Sequence, residues 1–445
     1  MPWEYTLKEF SDVVGGYINC DGSQRFSGVS IDTRKIYPGQ IFFAFPGAKV
    51  DGHSYVEEAI KKGAPAVVVT KDVSVPHIKV DNTLRALQNF ARWHRNNYPV
   101  KVFALTGSCG KTTSKEIITA LLRQKYKVVS SHGNYNNEIG CPLSLLEIDI
   151  STDWAVIEMG AGKPGDIAEL CAIAYPDEST VTVVGPAHLE KLHSVANVAI
   201  EKMKIAEVLP PWGHFYVNSD NKYILDIAKS LPVSKTYYGT NGDVVLKSLK
   251  VVSEEKMEMD VEPVGKLIIP LCSSQNVYNF LLAIAVSLRH GIQVDETVLL
   301  EAYNRVGRIK ILDIHDLHVI DDSYNANPLS MFSAIEYLSL KAKESFKCAV
   351  LGDMLELGNE AKKWHFEVGR EVGKKRVNTL FLYGEYSDEV AEGARETGVN
   401  KIYRFDCHKD IADAIKSEVP QGAWILIKGS RGMKMEKVIE YLKSE

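Results

Sequence analysis

The octapeptide Thr106-Gly107-Ser108-Cys109-Gly110-Lys111-Thr112-Thr113 carries the clearest chemistry in this 445-residue chain. An apolar run at 102–105 precedes it and a helical pattern at 112–123 follows. Strand, glycine turn and helix start are the context in which backbone N–H groups face a bound phosphate and the helix dipole favours its charge. Gly107 and Gly110 let the backbone come close, and Ser108, Cys109 and Thr113 complete the cradle. Lys111 would neutralise the β- and γ-phosphates and the Thr112 hydroxyl would ligate Mg²⁺. The full phosphate-loop pattern has glycine at 105, where this chain has Leu105. Strand, Gly-Lys-Thr-Thr and helix are all in place, so ATP binding is expected.

Glu158 ends a second apolar run, Trp154-Ala155-Val156-Ile157, and Met159-Gly160-Ala161-Gly162 follows. Ligands bind beyond the carboxyl ends of parallel strands, so a carboxylate there suits a Mg²⁺ ligand. His188 follows the run 180–184 at the same kind of position and is a candidate for a second metal, although Mg²⁺ prefers oxygen. Lys202 lies in a helical pattern at 195–208 and reads, by itself, as a solvated lysine.

Positioning these residues requires a sizeable scaffold. At about 150 residues per domain the length suggests three domains. Residues 1–98 alternate short apolar runs with turns and read as a small α/β unit. Residues 99–307 repeat strand, glycine-rich turn and helix, the pattern of a mainly parallel sheet covered by helices. Within them, 212–270 is richer in charge and turns and is expected to form an antiparallel appendage. Residues 308–445 repeat the α/β alternation, with strands expected at 317–320, 348–351, 379–383 and 424–427. The fold class is therefore α/β in three domains: a small N-terminal unit, a central phosphate-loop unit and a Rossmann-like C-terminal unit.

Composition narrows the function. Net charge is −5, which argues against a general nucleic-acid binder. Seven scattered cysteines with no C-x-x-C pair argue against a disulfide framework and for a reducing cytoplasm. The N-terminus lacks the pattern of a signal peptide. The charge-free run 267–288 contains Pro270 and a polar block at 273–276, so only its second half is a helix candidate and no membrane span is expected.

At this point the chain resembles the ATP-dependent Mur ligases of peptidoglycan synthesis, along nearly its whole length and in the same order. The matching pieces are Asp32-Thr33-Arg34, Asp51-Gly52-His53, the phosphate loop, Asn134 to Gly140, Glu158 to Ala161 and Ala187-His188-Leu189-Glu190. Further on come Asp321-Asp322-Ser323-Tyr324-Asn325-Ala326-Asn327-Pro328, the string from Leu351 to Gly358, and Lys428-Gly429-Ser430-Arg431. The 321–328 and 351–358 strings are the ones most specific to the D-alanyl-D-alanine-adding branch. The Asp-Asn-Pro-Arg string typical of the diaminopimelate-adding branch is absent.

The resemblance implies a ligase that uses ATP and Mg²⁺ to join D-alanyl-D-alanine to UDP-N-acetylmuramoyl-tripeptide through an acyl phosphate. It implies that Lys111, Glu158, His188 and Lys202 carry catalysis. Thr112 and Glu158 would hold one metal, and His188 with a carbamylated Lys202 the other. Asn276 and Asn279 would face adenine, with Gln275 where the family usually has histidine. Arg308 and Asp322 would reach the nucleotide from the third domain, which would swing near residues 306–309. Asn325 and Asn327 would shape the dipeptide pocket and Arg431 would pair with its carboxylate. Thr33, Arg34, Asp51, His53 and Asn137 would bind the UDP-muramoyl substrate. Lys204 departs from the family pattern, where glutamate is usual. The expected partners are these small molecules alone, with no nucleic acid, and the expected enzyme is a cytoplasmic monomer. Two other readings of the residues exist: a carboxylate–amine ligase for another substrate pair, such as a different Mur ligase or a folylpolyglutamate synthetase, and a nucleotide switch without ligation. The 321–328 string disfavours the first. Glu158, His188 and a third α/β region disfavour the second.

Overall fold

Runs of β-branched and aromatic residues bounded by turns build four sheets in a computed structural model that describes residues 3–47, 50–307 and 309–444. The first unit holds a two-stranded ribbon, Tyr5–Thr6 against Arg25–Phe26, and a five-stranded sheet. That sheet runs Tyr17–Asn19, His77–Lys79, Val67–Val69, Ile41–Phe43, Val29–Ser30, parallel except at the Tyr17–Asn19 edge. Helix Thr83–Asn96, capped by the Asn82 side chain, presses Phe90 into an aromatic cluster with Trp3, Phe10 and Phe26. Trp3 donates its indole N–H to Leu146 O and the His94 Nε2 bonds to Ile148 O, both at 2.8 Å. These bonds fasten the first unit to the second.

The central sheet has nine strands, ordered Gly265–Pro270, Lys256–Glu262, Val244–Val251, Ser234–Gly239, His214–Asn218, Glu178–Val181, Lys101–Thr106, Trp154–Glu158, Val128–Ser130. Strand Lys101–Thr106 is fully buried from Val102 onward, and the chain order reverses around it. Such a reversal opens a crevice at the carboxyl ends of the strands. The register puts Glu158 beside Leu105 and Val181 beside Thr106, so three strand ends stop level at the phosphate loop.

The expected antiparallel appendage at 212–270 needs correction. His214–Asn218, Ser234–Gly239 and Val244–Val251 pair parallel with their inner neighbours and extend the central sheet. Only Lys256–Glu262 and Gly265–Pro270 are antiparallel, and they continue that same sheet. Lys256–Glu262 alternates buried and solvent-facing residues, which gives the segment its charged character.

The third unit is a six-stranded sheet ordered Lys310–Ile314, Leu317–Asp322, Trp424–Lys428, Lys347–Gly352, Thr379–Tyr383, Lys401–Phe405. The first two strands form a tight antiparallel hairpin through His315 and Asp316, both with positive φ, and the others run parallel. The charge-free run resolves into strand Gly265–Pro270 and the buried helix Ser274–Arg289. Among the described residues no helix is long and apolar enough to cross a membrane.

Candidate active site

The carboxyl ends of the central and third sheets share a cavity of about 1000 Å³. On the central side, Gly107 and Gly110 shape the loop. Both have positive φ (155° and 81°), and a Cβ at Gly107 would lie 1.9 Å from the Thr182 hydroxyl. The Thr182 hydroxyl donates to Cys109 O, and Ser108 bonds to Val183 O through its N–H and to Gly185 O through its hydroxyl. The loop is thus pinned to the neighbouring strand end. Helix Lys111–Leu122 starts at Gly110 with no side-chain cap, which leaves its first turn suited to an anion. Lys111 Nζ donates to Gly107 O at 2.7 Å.

Thr112 donates its hydroxyl to Glu158 Oε2 at 2.8 Å, and Asn136 Nδ2 donates to Glu158 Oε1 at 2.8 Å. The Glu158 N–H donates to Ser131 Oγ, and the wholly buried Lys115 donates to Ser131 O. Glu158 is itself 1% exposed, so these contacts fix its direction. A hydroxyl and a carboxylate oxygen 2.8 Å apart beside a phosphate cradle fit Mg²⁺, which takes few protein ligands and fills its shell with phosphate and water. Among the described residues no three His, Cys, Asp or Glu side chains cluster as a metal site on their own.

Asn279 accepts from the Ser114 hydroxyl at 3.0 Å and donates to Asn276 at 3.1 Å, beside Gly110. Lys202 is 1% exposed in helix Val195–Glu207 and does not line the cavity. Burial, and then the Lys111 charge, draw its pKa down to about 7. The solvated-lysine reading is therefore wrong for this position. Lys204 pairs with Glu201 at 2.8 Å, and Glu201 also accepts the N–H groups of Gly165 and Ile167.

The third unit supplies the facing lip. Asn327 donates Nδ2 to Ser108 O of the phosphate loop at 2.9 Å while its Oδ1 caps helix Pro328–Ala342. Lys428, 1% exposed, donates to Asp322 at 2.6 Å and to Asn325 O at 2.9 Å. Arg431 donates its N–H to Asn325 Oδ1 and pairs with Glu436. His188 Nδ1 meets Glu356 Oε2 at 2.6 Å across the two units, and that hydrogen bond holds the Glu356 carboxyl below its usual range. Arg308 lies outside the described residues.

Three family profiles match this chain in order: the Mur ligase family catalytic domain at 25–101, the Mur ligase middle domain at 105–287 and the Mur ligase glutamate ligase domain at 307–431. The UDP-N-acetylmuramoyl-tripeptide–D-alanyl-D-alanine ligase of Bacillus subtilis (strain 168) is 34% identical over 98% of both chains. The chain belongs to the Mur ligase family. Its fold is also that of MurF from Acinetobacter baumannii, with a TM-score of 0.88 and 25% identity over 100% of both chains. The MurF ligase of Thermotoga maritima, solved in complex with ADP, gives a TM-score of 0.80 and 28% identity over 94% of this chain and 97% of that one.

Not every expected site residue of this Mur ligase meets at the cavity. Asn137 lines it and accepts the N–H of Gly140 at 2.8 Å. Thr33, Arg34, Asp51 and His53 lie apart, in the first unit. Arg34 forks onto Asp32 at 2.8–2.9 Å with its side chain 84% exposed, and the Thr33 carbonyl accepts from Lys62. His53 is buried, with Nδ1 on Asp51 at 2.7 Å and Nε2 accepting the Thr70 N–H at 3.1 Å. Asn136, Lys428 and Glu356 have no role on sequence grounds, although each sits in a matching string. Their partners Glu158, Asp322 and His188 lie 22, 106 and 168 residues away, so spacing carries no signal.

Proposed function

We propose that this Mur ligase joins D-alanyl-D-alanine to the terminal carboxylate of UDP-N-acetylmuramoyl-tripeptide at the expense of ATP, in peptidoglycan precursor synthesis. The observation that carries the reading is the contact of Asn327 with Ser108. It seats the 321–328 string of the third unit on the phosphate loop, and both line one cavity, which supports a nucleotide and an incoming amine meeting there.

A carboxylate is a poor electrophile near neutral pH. One of its oxygens attacks the γ-phosphorus, ADP leaves, and the acyl phosphate carries a good leaving group. The dipeptide amine, in its neutral form, then attacks the carbonyl carbon, the C–O bond to phosphate breaks, phosphate departs with that oxygen, and the nitrogen releases one proton to solvent. Two anions must meet in the first step, so charge repulsion is the obstacle. Lys111 turns from Gly107 O to the phosphates, and the first-turn N–H groups receive the anion. Thr112 and Glu158 would hold Mg²⁺, which would supply further positive charge to the phosphates. Asn136 and Ser131 keep Glu158 aimed.

His188 and Lys202 serve a second ion in the same reading, with Lys202 carbamylated. Burial supports this, since a lysine with a pKa near 7 keeps a substantial neutral, nucleophilic fraction. Residues 1–98 bind the UDP-muramoyl moiety through Thr33, Arg34, Asp51 and His53. Residues 99–307 bind ATP, with Asn276 and Asn279 on the adenine side. Residues 308–445 bring Asp322, Arg308, Asn325, Asn327 and Arg431, and turn about residues 306–309 as substrates bind. The test is phosphate release from ATP and Mg²⁺ with each substrate singly and together. Release with both, plus a product heavier by the dipeptide less water, is the expected result. Release with neither substrate would favour a switch ATPase.

A further inference from the structure

None of the groups assigned so far receives the amino group of the dipeptide. That amine is largely an ammonium near neutral pH and needs an anionic acceptor. The third unit contributes two acidic side chains to the cavity, Asp322 and Glu356. Asp322 is bound to the buried Lys428 at 2.6 Å. Glu356 uses only Oε2, on His188, and Oε1 has no hydrogen-bond partner among the described residues.

Glu356 is also held more firmly than an exposed loop side chain usually is. Its φ is 65°, and His188, which it faces, has φ 54°; both are left-handed and neither is glycine. Non-glycine residues persist in that region only where their surroundings impose it, and such sites concentrate at functional positions. Here the surroundings are explicit. Glu190 N–H donates to Glu356 O at 3.0 Å, the Leu355 N–H donates to Ser430 Oγ at 2.8 Å, and the Met354 N–H donates to the buried His365 at 2.9 Å.

The same bonds join Glu356 to Arg431. Strands Lys347–Gly352 and Trp424–Lys428 are parallel neighbours with Leu351 opposite Lys428, and Ser430 N–H donates to Asp353 O at 3.0 Å. The loops after these two strands therefore form one lip with a carboxylate on one side and a guanidinium on the other. A free dipeptide is the complementary ligand, with an ammonium at one end and a carboxylate at the other.

We propose that Glu356 receives the amino group of the incoming dipeptide and orients it in the cavity, while Arg431 takes the dipeptide carboxylate; this rests on the ligase reading above. His188 acts as a clamp that fixes the Glu356 carboxylate from the central unit, so the acceptor is complete when the two units are docked.

The test is calorimetric binding of D-alanyl-D-alanine and of its N-acetyl derivative to the enzyme saturated with UDP-N-acetylmuramoyl-tripeptide, Mg²⁺ and a non-hydrolysable ATP analogue. The parent enzyme should prefer the free amine by roughly ten- to a hundredfold, the worth of a hydrogen bond to a charged group. Glu356→Gln should bring the two ligands to similar affinity, Glu356→Asp should restore part of the preference, and affinity for the ATP analogue should stay unchanged in both. A preference that survives Glu356→Gln, or a parent enzyme that binds both dipeptides equally, overturns the role of Glu356. Failure of the parent to bind either dipeptide overturns the ligase reading itself.

Discussion

In the proposed reading, the phosphate loop and the first-unit quartet of Thr33, Arg34, Asp51 and His53 meet their ligands in opposite states of preparation. Around the loop, bonds join positions far apart in the chain: Thr112 to Glu158, Thr182 to Cys109, Asn327 to Ser108. The side chains that aim Glu158 are buried or half-buried. In the quartet the bonds are mostly local, Arg34 to Asp32 and His53 to Asp51, and Arg34 stands in solvent. The difference follows from the chemistry asked of each. A site that stabilises charge during reaction gains from dipoles fixed beforehand. A site that recognises a nucleotide sugar can keep an arginine on a weak, water-screened pair and exchange Asp32 for phosphate on binding.

The largest losses of activity are expected at the loop. Lys111→Ala or Glu158→Gln should lower kcat by about a hundred- to a thousandfold, while thermal stability changes little, since losing one preorganised charge-stabilising group costs about that much. Steady-state phosphate release measures it. Gly107→Ala should destabilise by about 1–3 kcal/mol and abolish nucleotide binding, because the added Cβ meets Thr182 and the φ favours glycine. Urea unfolding with and without ADP separates the two losses.

The first unit should respond differently. His53→Ala should cost about 1–3 kcal/mol of stability by emptying a buried position and leaving the Thr70 N–H without its partner. Arg34→Ala should leave the thermal midpoint where it is and raise KM for the UDP-substrate about tenfold, with KM for ATP unchanged. If Arg34→Ala instead altered ATP affinity, the separation of the two regions would fail.

Lys202 makes stability depend on pH. Its folded pKa of about 7 lies below its ordinary 10.5, so the unfolded chain binds more protons between those values. Stability contributed by this position is fully present above 10.5 and is lost as pH falls through 7. Lys202→Met should therefore be more stable than the parent at pH 6, with the gap closing as pH rises from 7 toward 10.5. Thermal melts across that range test it, and a constant gap would contradict it.

Much of this molecule is legible in its amino-acid sequence. Trp154–Glu158 and Thr379–Tyr383 occupy their expected spans end to end, because each is a buried apolar run. Strands Lys310–Ile314 and Lys401–Phe405 escape a reading by pattern because both are sheet edges with exposed charged residues, where burial imposes no alternation. The phosphate loop is legible because its parts are contiguous. The lip is legible only in pieces: Asn325, Asn327 and Arg431 stand out within their strings, but the pairing of Lys428 with Asp322 and of Glu356 with His188 depends on how the sheets meet. Lys202 is misread alone because helix periodicity does not say which face the central sheet and its neighbouring helices will cover.

In the proposed mechanism the phosphate loop and the third-unit lip form one site in which the tripeptide carboxylate itself is phosphorylated. The most direct measurement uses UDP-N-acetylmuramoyl-tripeptide carrying ¹⁸O in both oxygens of its terminal carboxylate, with ATP, Mg²⁺ and D-alanyl-D-alanine, and mass analysis of the released phosphate. Attack of the carboxylate on the γ-phosphorus predicts one ¹⁸O in each phosphate released with product. Phosphate free of label would mean that ATP is cleaved by water, and would contradict phosphorylation of the carboxylate.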